Sequence, residues 1–164
     1  RKSYRLGLSR VEPAYLLVYT VYMEVENIDI YIQVINRLMV SFQALDRSIN
    51  IPMQTGVSFS AVMVDGGIDV SNLGNQPFLP WEVFTETVSL LIRQGGSADK
   101  GNAMGYRLGS EELPMDSVEG HVAHTVYGKQ KGESVFRRIT PIANILVWSG
   151  ICINEPGRLS LSDT

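Results

Sequence analysis

The sequence predicts an α+β fold, in which an antiparallel sheet packs with two or three helices in a single compact domain. Three observations support this class: stretches of alternating apolar and polar residues, one long amphipathic helical pattern, and Gly/Pro-rich turn signals between them. The chain has 164 residues, of which 45% are hydrophobic, enough for one domain with a substantial core. We expect a basic arm at residues 1–13 and a globular α+β domain at residues 14–164.

The first predicted elements are a strand and a helix. Residues 14–26 are rich in β-branched and aromatic side chains, which favours a strand. Asn27 is then expected to cap a helix, because Asp29 in the first turn suits the positive end of the helix dipole. Apolar residues recur at helical spacing over 28–49, and Pro52 is expected to follow the end of the helix.

The middle of the chain predicts a hairpin followed by a helix. Residues 57–63 alternate as a half-buried strand does, and the turn sequence Asp-Gly-Gly at 65–67 predicts a returning strand at 68–70. Residues 72–80 are expected to form a loop. Over 81–94, start and stop signals favour a helix whereas several β-branched residues favour a strand, and the helix is preferred on local grounds.

The second half begins with glycine-rich sequence. Five glycines within 95–110 predict a flexible loop. Lys100 and Arg107 lie in this loop, so a phosphate cradle is conceivable, but the glycine spacing matches no known phosphate-binding pattern and a mobile connection is preferred. Asp116 and Glu119 then form a pair similar to a capping box, which predicts a short helix.

The last part of the chain is predicted to be strands. Residues 135–153 have strand-like composition interrupted by Pro141, and a turn at 154–157 leads into a short strand at 158–161. The single cysteine, Cys152, lies between two isoleucines, so we expect a buried structural thiol and a reducing compartment.

Charge is sparse and unevenly distributed. Charged residues make up 19% of the chain, which is below the usual quarter and suggests either surface that contacts other subunits or a neutral polar surface. The net charge of −3 requires any anionic partner to bind a local patch. The chain begins without methionine, so we expect the arm once to have been longer. There are two basic patches, one formed by Arg1, Lys2, Arg5 and Arg10, and the other by Lys129, Lys131, Arg137 and Arg138.

The second basic patch has two interpretations: contact with phosphates of RNA or lipid, or cations that stabilise a helix end. His121 and His124 are spaced as a metal-binding pair on one helix face, but no further ligand is indicated by spacing, so no metal, cofactor or catalytic residue is predicted. No apolar run is long enough to span a bilayer, and no signal peptide is recognisable.

One cluster is a candidate for self-association. Phe78, Leu79 and Trp81 surround Pro80, and such an apolar cluster in a loop can dock onto a neighbouring subunit. Packing of these side chains into the core is the simpler interpretation.

The order of predicted elements, after a basic arm, resembles that of the matrix proteins of rhabdoviruses, and the length is similar to that of the plant members. The resemblance covers residues 14–161 as element order, and its best stretch is AYLLVYTVYMEVEN followed by IDIYIQVINRLMVSFQALDR. No short motif is shared, and the P-P-x-Y and P-T-A-P peptides do not occur. The family would require a strand at 83–92.

The resemblance implies a structural protein, not an enzyme, that self-assembles as a helical oligomer into a layer. The layer would link viral nucleoprotein–RNA to the inner membrane face, with anionic membrane lipid and the viral glycoprotein tail as further partners. The location would be the virion beneath the envelope, and the host cytoplasm or inner membrane face. The alternatives are a nucleic-acid-binding or movement-type viral protein, a capsid-type protein, and a small metal-dependent hydrolase that uses His121 and His124.

Overall fold

The computed structural model describes the backbone of residues 13–163 and the side chains of residues 28–163. Over this part of the chain, four helices and two antiparallel sheets confirm the predicted α+β class. The predicted arm contacts Arg1, Lys2, Arg5 and Arg10 lie outside the described residues. None of the helices in the described part is both long and apolar enough to cross a membrane.

Helix α1 spans Pro13–Gln43, so the strand predicted at 14–26 is wrong and Asn27 lies inside the helix, not at its start. From residue 28 onward, the helix packs against the core through Val34, Leu38 and Phe42. Each β-branched or aromatic residue at 14–26 lowers the stability of a helix by only a few tenths of a kcal/mol. Extending an existing helix is far easier than nucleating one, so the weak preference of these residues for a strand is overridden.

The end of α1 comes earlier than predicted. Asp46 and Arg47 have φ values of 54° and 68°, in the left-handed region that helices do not continue through. Ile49, expected in the helix, lies instead in strand β1, which spans Ser48–Pro52.

Four strands form the first sheet in the order of the chain. β1 is followed by β2 (Ser58–Val64), β3 (Gly67–Val70) and β4 (Phe78–Pro80), each antiparallel to its neighbour. The predicted hairpin is therefore confirmed. β4 leads directly into helix α2, Trp81–Arg93, which confirms the helix preferred at 81–94 and contradicts the strand that the family resemblance requires at 83–92.

The second sheet joins the glycine-rich segment to the C-terminal region. β5 (Ser97–Asp99), β6 (Cys152–Glu155) and β7 (Arg158–Leu161) are arranged in the order β5-β7-β6. The prediction of a loop is therefore wrong at 97–99, where β7 supplies the pairing partner that local sequence cannot reveal. The turn before β7 is confirmed, because Glu155 pairs with Arg158 on either side of Pro156 and Gly157.

Along the chain, helices α3 and α4 lie between β5 and β6 of this sheet. α3 spans Val118–Thr125 and is capped by Ser117, whose hydroxyl accepts from the backbone N–H of Gly120. α4 spans Ile139–Trp148, so the strands predicted across 135–153 are wrong over this range. Pro141 falls in the first turn of α4, where a missing N–H costs little, so it does not act as the strand break that its position suggested.

The main core is shared by the helices and both sheets. Phe42 of α1 and Trp148 of α4 meet edge to face, with ring centroids 5.1 Å apart. Cys152 is buried among these apolar residues, as predicted, and burial raises the pKa of its thiol to about 12.

Cys152 should therefore react slowly with thiol reagents in the folded protein. Only the thiolate is nucleophilic, and its fraction at neutral pH falls by a factor of ten for each unit by which the pKa rises. We expect labelling of the native protein by a disulfide reagent to be at least about 100-fold slower than labelling in denaturant. Cys152→Ala provides the blank, and equal native and denatured rates would contradict the buried position.

Candidate phosphate-binding groove

Lys100 and Arg137 line the same two neighbouring cavities, which together we call the groove. The first cavity, with a volume of about 220 Å³, lies between the β1–β2 turn, α4 and β6. The second, of about 370 Å³, lies beside the loop after β5 and the β6–β7 turn. The polar residues that line the first cavity besides the two cations are Gln54, Thr55, Thr140, Asn144 and Asn154.

The backbone around β5 positions Lys100. Its N–H donates to the carbonyl of Gly157, and its Nζ donates to the carbonyl of Glu155 at 3.0 Å. Burial lowers the pKa of Lys100, because a partly dry environment disfavours its charged form. No carboxylate among the described residues forms an ion pair with Lys100, so its charge is stabilised by the hydrogen bond to the Glu155 carbonyl but is not neutralised.

Arg137 is exposed and lies just before α4. Its Nη1 lies 3.0 Å from Sδ of Met104, which is only a weak hydrogen-bond acceptor. Within the described part of the chain, Arg137 also lacks a carboxylate partner. Most of its donors are therefore available to a ligand.

A single buried carboxylate connects the positions of the two cations. Glu119 of α3 is only 3% exposed, and its two oxygens accept from the backbone N–H groups of Arg138 and Ile139, each at 2.8 Å. Its own N–H donates to the carbonyl of Lys100 at 2.9 Å. Glu119 therefore holds the start of α4, next to Arg137, and also holds the backbone of Lys100.

The second cavity differs from the first in charge, because Asp99, Glu111 and Glu112 line it. Asp99 forms an ion pair with Arg158 at 2.6 Å. Glu111 and Glu112 are exposed, and within the described residues neither forms an ion pair. The second cavity is thus lined by side chains of both signs, whereas the two cations are the only charged ones among the described residues that line the first.

Asn154, which lines the first cavity, has a side-chain oxygen that makes no hydrogen bond within the described part of the chain. Asn154 Oδ1 is buried and has no hydrogen-bond partner among the described residues. Nδ2 of Asn144, by contrast, donates to the carbonyl of Thr140 at 2.8 Å. Buried polar atoms are rarely left without a partner, so this oxygen is an exception within the described part of the chain.

The basic patch predicted at 129–138 is not one surface, because its four side chains lie in different places and have different contacts. Only Arg137 enters the groove. Arg138 is 7% exposed and lies over the rings of Tyr127 and Phe136, at 3.6 and 4.8 Å from their centroids, so its predicted role in partner contact is wrong. Lys129 lies 4.0 Å from Glu133, and Lys131 is exposed outside both cavities.

The candidate self-association cluster is mostly part of the core. Leu79 is completely buried, so it cannot contact a partner directly. Trp81 is half-buried and packs beside Phe84, with ring centroids 6.4 Å apart. Phe78 alone presents a substantial surface, with 44% of it exposed.

The two histidines have separate partners. His121 Nε2 lies 2.9 Å from Glu86 Oε2, and the Tyr31 hydroxyl donates to the other oxygen of the same carboxylate at 2.8 Å. His124 Nδ1 lies 2.7 Å from the carbonyl of Lys129. Among the described residues, no group of three His, Cys, Asp or Glu side chains is placed to hold a metal ion. The contacts of Tyr31 and His121 with Glu86 instead connect α1, α2 and α3.

Comparison of the chain with protein-family models, curated proteins and solved structures finds no match. The resemblance to rhabdovirus matrix proteins therefore stays a prediction. Its element order differs from the structure at 14–26 and 83–92, both of which are helical.

Sequence reasoning identified only part of the groove. Lys100 was noted with Arg107, but Arg107 donates instead to the carbonyl of Gly132 at 3.0 Å and lines neither cavity. Glu111, Glu112 and Asn154 carry no local motif, and only the folded chain brings them near the two cations.

Proposed function

We propose that the protein is a structural assembly protein of the viral matrix type, which contacts nucleoprotein–RNA through the groove. One observation carries this proposal: Lys100 and Arg137 line a common cavity, and neither forms an ion pair within the described residues. Charge-assisted hydrogen bonds to phosphate are about twice as strong as neutral ones, and arginine can bind phosphate with two donors at once. The groove is suited to retaining an anion.

The chemistry of the lining supports binding over catalysis. Apart from the cations, the polar side chains of the first cavity are amides and hydroxyls, which can orient a ligand by hydrogen bonding. The hydroxyls of Thr55 and Thr140 have no histidine beside them in that lining to act as a base. A structural role therefore requires fewer assumptions than the metal-dependent hydrolase alternative.

Exposed apolar side chains support the assembly part of the proposal. Ile28, Ile32 and Val40 of α1 are 54, 50 and 65% exposed. Together with the low content of charged residues, they favour further copies of this chain as partners. In this proposal, anionic lipid and the viral glycoprotein tail are the partners on the membrane side, and the protein lies beneath the virion envelope.

The nucleic-acid-binding or movement-type alternative uses the same groove but requires no layer. Light scattering separates the two, because a matrix-type protein should form larger species as its concentration rises. A monomer at every concentration, with and without RNA, would favour the alternative.

Neutralising the groove should weaken RNA binding. We expect Lys100→Gln and Arg137→Gln each to lower the affinity for a single-stranded RNA by about tenfold at low salt, and to reduce the salt dependence by about one ion per contact. Fluorescence anisotropy across a salt series measures both effects. Burial lowers the pKa of Lys100, so this side chain loses its charge at a lower pH than an ordinary lysine does. As the pH rises, the affinity for RNA should therefore begin to fall earlier than it would with an ordinary lysine.

Lys131→Gln is the matched control, since it removes the same charge from an exposed position outside the groove. It should leave the affinity within about twofold of wild type, because an exposed charge outside the groove is screened by salt. Equal losses in Lys131→Gln and Lys100→Gln would show a general charge effect and contradict the groove. Thermal melting of each variant confirms that it is folded.

A further inference from the structure

The second cavity of the groove brings two cations and two glutamates without ion-pair partners among the described residues into one lining, and we propose that the groove takes one ribose-phosphate unit of RNA and distinguishes RNA from DNA. The phosphate would bind Lys100 and Arg137, and the ribose 2′-hydroxyl would donate to Glu111 or Glu112. The phosphate end of this inference rests on the proposed function, whereas selection of the ribose goes beyond it.

The two cations of the groove fit a single phosphate group. Lys100 and Arg137 belong to the lining of both cavities, so they lie where the two cavities meet. The first cavity, about 220 Å³, has room for a phosphate with part of its sugar but not for a whole oligonucleotide. Thr55, Thr140 and Gln54 add neutral donors around the same space.

Glu111 and Glu112 disfavour a second phosphate and favour a hydrogen-bond donor. Like charges repel, so a phosphate placed beside Glu111 and Glu112 would be disfavoured. An ionised carboxylate only accepts hydrogen bonds, so its suitable ligand partner is a hydroxyl or an amino group. Asp99 is already engaged by Arg158, which leaves Glu111 and Glu112 as the available acceptors.

A phosphate with an adjacent hydroxyl donor is the arrangement that RNA presents and DNA lacks, because only RNA carries the 2′-hydroxyl. No aromatic side chain lines either cavity within the described residues, so base stacking does not contribute there. Recognition would therefore follow the sugar-phosphate backbone and be independent of sequence.

The test compares a 5′-labelled oligouridylate with the deoxyuridylate of equal length by fluorescence anisotropy. Wild type should bind the RNA about tenfold more tightly, the effect of one hydrogen bond to a charged group. The double variant E111Q/E112Q should bind the DNA more tightly than wild type does, because repulsion is removed, and should lose most of the RNA preference, because the charged acceptors are lost. The double variant E82Q/E133Q is the matched control, since both acids are exposed and outside the groove, and it should keep that preference.

The outcomes separate this inference from the proposed function. Equal affinity for RNA and DNA, with both lowered by Lys100→Gln, would overturn ribose selection and leave the phosphate groove intact. Affinity that does not respond to Lys100→Gln or Arg137→Gln would overturn both. An RNA preference that survives in E111Q/E112Q would also overturn the inference. Displacement of RNA by vesicles containing a phosphoinositide, but not by vesicles of neutral lipid, would assign the groove to a lipid headgroup instead.

Discussion

Replacing Glu119 with alanine is expected to lower the free energy of unfolding by roughly 2–5 kcal/mol, since each buried donor left without a partner costs about 1–3 kcal/mol. The two donors are the backbone N–H groups of Arg138 and Ile139, which begin α4 and have few alternative acceptors. Urea denaturation followed by circular dichroism measures the change.

Two further variants distinguish the role of Glu119 from that of a generic acid. Glu119→Gln keeps the size but presents an amide group to one of the two donors, so it should recover only part of the stability. Glu133→Ala removes an exposed acid whose nearest cation is 4.0 Å away, so it should change stability by less than about 0.5 kcal/mol. A small loss in Glu119→Ala, comparable to that of Glu133→Ala, would contradict the proposed clamp.

The pH dependence of this effect has a definite sign. Burial raises the pKa of Glu119, and this outweighs the backbone N–H groups and the nearby arginines, which act in the opposite direction. Because the folded state holds the proton more tightly than the unfolded state, stability from this group falls as the pH rises from the unfolded pKa, about 4.5, through the folded pKa. The stability advantage of wild type over Glu119→Gln, which does not titrate, should therefore shrink over that interval.

Local sequence predicted those elements whose boundaries are encoded locally. The Asp-Gly-Gly turn at 65–67 and the turn before β7 appear where expected, because turn residues determine them directly. The segments 14–26 and 139–148 were assigned as strands from their β-branched residues, yet both are helical. β-propensity reflects packing against neighbours more than an intrinsic backbone preference, and the sequence alone does not show those neighbours.

The groove was less predictable than the fold. Lys100 and Arg137 are 37 positions apart in the sequence, and Glu119 links the backbone of Lys100 to that of Arg138, the neighbour of Arg137. Glu119 itself was interpreted as part of a capping box for α3, but Ser117 alone caps that helix. A buried acid that links distant backbone groups carries no local pattern by which it could be recognised.

Alanine substitutions of the adjacent Arg137 and Arg138 should differ sharply in their effect on stability. Arg138→Ala is expected to lower the free energy of unfolding by about 2–4 kcal/mol, from the lost cation–π contact and the lost hydrogen bond of a charged group. In the structure, these are the contact with the ring of Tyr127 and the donation from Nη2 to Gln76 Oε1 at 2.8 Å. Arg137→Ala, at an exposed position, should change stability by less than about 0.5 kcal/mol.

Tyr127→Phe separates the ring from its hydroxyl. The hydroxyl is buried without a hydrogen-bond partner among the described residues, so removing it should be neutral or slightly stabilising while the contact with Arg138 is kept. A double-mutant cycle of Arg138→Met with Tyr127→Leu should then give a coupling of about 0.5–2 kcal/mol. The effects on RNA affinity should be the reverse of those on stability. Affinity should fall in Arg137→Ala and remain near that of wild type in folded Tyr127→Phe. Equal losses of stability in Arg137→Ala and Arg138→Ala would contradict the assignment of Arg137 to ligand binding and of Arg138 to core packing.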